Sequence, residues 1–118
     1  MVRDLDFPIE ILAGPTVREP DGLALSSRNQ YLSPEERAQA PIIRAALLQA
    51  AQSQEESARK ILAGVRQQIE SAPLARIDYA EIVGADDLQP RLTIEPRSLL
   101  AVAVFFGKTR LIDNIFLR

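Results

Sequence analysis

The spacing of apolar and polar residues divides the chain into segments of different period. Pro8-Ile9-Glu10-Ile11-Leu12-Ala13 reads as a short strand, closed by Gly14-Pro15. Residues 14–33 then show no period and are rich in turn formers, among them Pro20, Asp21, Gly22, Ser26, Ser27 and Asn29. A loop of roughly 20 residues is unusual in a small domain and is often functional. Ser33-Pro34-Glu35-Glu36 has the pattern of a helix start: Ser33 can cap, Pro34 suits the first turn, and Glu36 completes a capping box. This helix is expected to reach about Ala51, kinked at Pro41, whose nitrogen has no hydrogen to donate. Ser53-Gln54-Glu55-Glu56 repeats the start signal. A second helix should follow and end near Glu70 or Ser71, ahead of Pro73. Its Ile61, Leu62, Val65 and Ile69 form one apolar stripe, expected to be core rather than a partner groove.

Beyond Pro73 the period changes. Arg76 to Val83 reads as a strand, and Gly84 to Pro96 as a loop with a helical turn near Asp86-Asp87-Leu88. Leu99 to Phe106 is apolar at both alternating sets of positions, so this strand should be buried on both sides. Gly107-Lys108 has the length of a hairpin link, and Arg110 to Phe116 returns as the partner strand. The expected fold is α+β: a small antiparallel sheet of about three strands packed with two main helices, plus the separate strand near the N-terminus.

Composition narrows the chemistry. The chain has 118 residues, with no histidine, no cysteine and no tryptophan. Without cysteine there is no disulfide, thiol nucleophile or cysteine-based metal site. Without histidine the commonest general base is missing. Chemistry must then come from carboxylates, hydroxyls, lysine, arginine or backbone groups. Lys plus Arg total 14 and Asp plus Glu total 16, a net charge of −2. That balance argues against a nucleic-acid partner. No window approaches the ~20 apolar residues of a membrane helix. Met1 to Pro8 lacks the pattern of a signal peptide, and the cytoplasm is the expected compartment.

The candidate chemistry lies at Leu25-Ser26-Ser27-Arg28-Asn29. Two hydroxyls can donate to phosphate oxygens, and the arginine fork matches phosphate in a two-pronged way. The plain alternative is a polar loop entering a capped helix. The wider context, from Pro15-Thr16-Val17-Arg18-Glu19-Pro20-Asp21-Gly22-Leu23-Ala24 through Ser26-Ser27-Arg28-Asn29-Gln30-Tyr31-Leu32-Ser33, resembles the pantothenate synthetase (pantoate–β-alanine ligase) family. The resemblance extends through Val2-Arg3-Asp4-Leu5, Ile77-Asp78-Tyr79-Ala80-Glu81-Ile82-Val83 and Gly107-Lys108-Thr109-Arg110-Leu111-Ile112-Asp113-Asn114, in the same order.

The resemblance implies an ATP-dependent ligase that joins pantoate to β-alanine through a pantoyl-adenylate, on the way to pantothenate and coenzyme A. Pyrophosphate would leave first and AMP second. It implies a Rossmann-like N-terminal domain and a small C-terminal lid. Residues 1–16 would be the last strand and hinge of the first, and residues 17–118 the lid. Val17, Leu25, Ser26, Ser27 and Arg28 are the implied ATP contacts, with Ser26, Ser27 and Arg28 implied to act on the phosphates. ATP would arrive as its magnesium complex, with no metal site in this chain and no nucleic-acid or membrane partner. Pantoate and β-alanine would be held by the N-terminal domain, which would also supply most of the family's dimer contact. The family's His-Ile-Gly-His-type element is not in this chain, so the chain alone is expected to be inactive. Two alternatives are a non-enzymatic α+β interaction module and the lid of another nucleotidylyltransferase.

Other polar residues have local readings. Arg18 and Asp21 are expected to pair, with ligand contact by Arg18 as the alternative. Asp113 and Asn114 are expected to hold the sheet edge or face the hinge, and Asp86-Asp87 to form a solvated turn rather than a cation site.

Overall fold

A computed structural model describes residues 18–23, 27–87 and 89–117. The expected strand at Pro8 to Ala13 lies outside them. Side chains of Ser27 and Arg28 are also outside the description.

The element order is a 3-10 helix (Ser27–Tyr31), α1 (Pro34–Gln39), α2 (Ile42–Gln52), α3 (Ala58–Glu70), β1 (Ala75–Gly84), β2 (Ser98–Phe106) and β3 (Thr109–Phe116). The three strands form an antiparallel sheet in the order β1-β2-β3. This is the expected α+β architecture.

Ser33 begins α1 with both halves of a capping box: its Oγ accepts from the Glu36 amide, and Glu36 Oε1 accepts from the Ser33 amide. Pro41 does more than kink the helix. It divides the segment into α1 and α2, and the α1 backbone ends at Ala40. The second start signal is corrected. Ser53 ends α2, and α3 is capped by Ser57, whose Oγ accepts from the Lys60 amide. Glu55 accepts from the backbone of Glu56 and Ser57, so this carboxylate holds the link rather than closing a capping box.

β2 is the centre of the core. Leu100, Val102, Val104 and Phe106 face α2 and α3 and are fully buried, and Ile43, Leu47, Ile61, Val65 and Ile69 are buried with them. Leu62 packs at the margin. At about 25 cal/mol per Å² of apolar surface, this layer is the main source of stability. The opposite face is covered differently. Ala101 and Ala103 are buried between Tyr79 and Ile112. Arg76 stacks on Phe105 at 4.6 Å and Arg110 on Tyr79 at 5.6 Å. β2 is thus buried on both faces, by helices on one and by neighbouring side chains on the other.

A bulge at Asp78 shifts the register between Ile77 and Tyr79. The two side chains therefore sit on opposite faces of the sheet. Near Asp86 the chain makes a turn at 85–87, where a helical turn is expected, and folds back so that Val83 bridges Pro90; Leu88 lies outside the described residues. Asp86 pairs with Arg97 at 2.9 Å and both are exposed, as a solvated turn requires.

Candidate functional site

The described residues on either side of the segment that carries the candidate chemistry lie at the β3 edge of the sheet. Arg18 precedes a tight turn in which Gly22 donates to the Glu19 carbonyl (2.8 Å) and Glu19 to the Leu23 carbonyl (2.9 Å). Gly22 has φ +97°, a region that L side chains rarely adopt. Leu23 then enters the core, 4 % exposed. The backbone of Ser27 and Arg28 opens the 3-10 helix, which packs on β3. Val17, Leu25 and Ser26 lie outside the described residues.

Two sets of ion pairs fix this edge. Arg37 on α1 donates to Asp21 (2.7 Å) and lies 3.4 Å from Glu19. The hydrogen bond from Arg37 holds the Asp21 carboxyl below the ordinary carboxylate range. Arg18 makes a two-pronged pair with Asp113 on β3, at 2.7 and 2.9 Å. The expected Arg18–Asp21 pair is therefore corrected: each takes a different partner, because the turn directs Asp21 outward to α1. The hydrogen bond to Asp113 raises the Arg18 pKa against the opposing effect of burial.

Asp113 is the residue that sequence reasoning undervalued. It is 2 % exposed and sits on the core face of β3, between Leu111 and Ile115. The signal was present: a carboxylate at a core-facing strand position demands a buried cation. Asn114 faces the other side. Its Nδ2 is buried without a hydrogen-bond partner among the described residues.

Beside the 3-10 helix an open cleft of about 720 Å³ is lined by Tyr31, Glu36, Gly107, Lys108, Thr109 and Arg110. Gly107 turns the β2–β3 hairpin at φ +65°, and a Cβ there would meet the Glu36 carboxylate. The hairpin link is the expected two residues. Arg110 also pairs with Asp78 at 3.0 Å. Among the described residues no three acidic side chains converge as a metal site would require. No helix among them is long and apolar enough to cross a membrane.

These elements define a small α+β domain in which the described residues flanking the candidate segment pack at the β3 edge of the sheet. A sequence model described as pantoate-beta-alanine ligase matches residues 1–116. The pantothenate synthetase of Desulfovibrio desulfuricans is 54 % identical over 121 residues, covering 99 % of this chain and 43 % of that protein. That of Salinibacter ruber is 50 % identical and is covered to 42 % of its length. In structure, the Thermus thermophilus pantothenate synthetase superposes with a TM-score of 0.82 at 42 % identity, over 96 % of this chain and 42 % of that one. The pantoate-beta-alanine ligase of Francisella tularensis, solved with beta-gamma ATP and beta-alanine, gives 0.56 at 25 % identity, over 92 % of this chain and 33 % of that one. The chain belongs to the pantoate–β-alanine ligase family, and it spans a little over two fifths of the length of the curated relatives it matches.

Proposed function

We propose that this chain is the C-terminal, nucleotide-closing part of a ligase that condenses pantoate with β-alanine using ATP. Residues 1–16 would complete a Rossmann-like N-terminal domain and carry the hinge, and residues 17–118 would form the lid. The observation that carries this reading is family membership across residues 1–116. The Francisella relative, named as a complex with beta-gamma ATP and beta-alanine, supports ATP and β-alanine as ligands.

In this reading a pantoate carboxylate oxygen attacks the α-phosphorus of ATP, and the bond to pyrophosphate breaks. The β-alanine amine then attacks the acyl carbon, AMP leaves, and the amine proton passes to solvent. Reactions of this kind depend on positioning and on charge stabilisation. Ser26 and Ser27 would donate to phosphate oxygens, Arg28 would bind them with its fork, the Val17 backbone would meet adenine, and Leu25 would be a further ATP contact. Magnesium would come with ATP as part of the substrate. A lid that closes over the adenylate would also keep water from it. The product is an intermediate of coenzyme A synthesis, and a cytoplasmic site of action follows from that reading.

Arg28→Ala, in the chain joined to its Rossmann-like half, tests the assignment. Loss of one preorganised charge donor should lower turnover by about 100-fold or more. The thermal midpoint should not change. Wild-type turnover in that variant would refute the assignment.

A further inference from the structure

Arg18 and Asp113 stand 95 residues apart in sequence and meet in a two-pronged ion pair. The Asp113 side chain is 3 % exposed and that of Arg18 20 %. Two apolar residues of similar volume would stabilise such a position as well or better. Stability is therefore a weak account of a charge among Leu111, Val102 and Ile115.

Direction does. A guanidinium fork meets a carboxylate in one plane and one orientation. Arg18 Nη1 also donates to the Gly22 carbonyl at 3.0 Å, so one side chain joins the turn to β3. Asp113 Oδ1 additionally accepts from the Asn114 amide at 2.8 Å, which fixes the carboxylate. Leu23, at the far end of the turn, is anchored in the core. On the other side of residues 24–26, the 3-10 helix that opens with Ser27 and Arg28 packs on the same strand. Both borders of the phosphate-directed segment are thus referred to β3. Arg44 lies beside the pair, and its pKa is lowered by burial and by the Arg18 charge.

We propose that Arg18 and Asp113 are positioning residues for the proposed reaction, whose ion pair fixes the Arg18–Leu23 turn, the described border of the phosphate-directed segment, against β3. This rests on the ligase reading above. It separates the pair from a purely structural bridge: orientation, not only stability, is lost with it.

The test is steady-state kinetics of the chain joined to its Rossmann-like half. Removing Asp113 alone would leave Arg18 and Arg44 facing each other and endanger the fold. Two other variants avoid that. Arg18→Lys keeps the charge but loses the fork. Arg18→Met with Asp113→Leu removes both charges and should keep a thermal midpoint near that of the parent. A displacement of about 1 Å can cost about 100-fold in rate. Both variants should therefore lower kcat by at least about tenfold and raise KM for ATP, with KM for pantoate unmoved. A folded double variant, or Arg18→Lys, with the parent's kcat and KM for ATP would overturn the inference. Arg28→Ala run in parallel keeps the two readings apart. If it is inactive while the pair variants are normal, only the positioning role fails. If it too is fully active, the phosphate role of Arg28 fails and the positioning role falls with it, whereas a folded parent protein without turnover is the result that refutes the ligase reading itself.

Discussion

Glu81 and Asp113 are both carboxylates on strands, and the fold treats them in opposite ways. Asp113 faces the core and is given a cation. Glu81 lies at the β1 edge, half-buried beside Arg66, and burial raises its pKa by more than Arg66 lowers it. The folded state then holds the Glu81 proton more tightly than the unfolded chain does. Stability from this group is present below the unfolded carboxyl pKa and is lost as pH rises through the raised folded value. Glu81→Gln should therefore raise the thermal midpoint at neutral pH and leave it nearly unchanged below about pH 4. An equal shift at both pH values, or a lower midpoint at neutral pH, would contradict this. At this scale the sequence was least informative. It placed Arg18 with Asp21 by proximity, whereas the turn through Gly22 sends the two apart. Pairing across 95 residues depends on register, which no local pattern states.

The elements themselves were more legible. Ser33 and Glu36 cap α1 as their spacing requires, because capping is a contact over three residues. The apolar run of β2 and the Gly107-Lys108 link marked the central strand and the hairpin for the same reason. The misreadings arise where two local signals compete. Ser53 and Ser57 both precede an apolar stripe. Ser57 wins because it leaves Ser53 to Glu56 free to link two helices that pack together. The Asp78 bulge likewise breaks the two-residue alternation that β1 would otherwise follow. Gly64 is the remaining mismatch, a glycine inside an exposed helix turn with open space where a Cβ would stand. Gly64→Ala should stabilise the domain by about 1 kcal/mol, read as a higher denaturant midpoint with an unchanged m-value. An unchanged or lower midpoint would mean that the glycine serves a packing role.

For the whole molecule, the family and the α+β architecture were legible because ordered matches run along nearly the whole chain. The site was legible only as a segment. Its residue types suit phosphate, yet the partners that hold its borders, Asp113 and the face of β3, come from the far end of the sequence. The central claim is that these residues close over a nucleotide bound mainly by another domain. It is tested most directly by AMP release from ATP in the presence of pantoate and β-alanine. The 118-residue chain would be assayed alone and joined to the part of the Thermus thermophilus enzyme that it does not cover. The account predicts no AMP from the chain alone, and AMP that depends on both other substrates from the joined protein. AMP and pantothenate formed by the chain alone, or none from a folded joined protein, would contradict it.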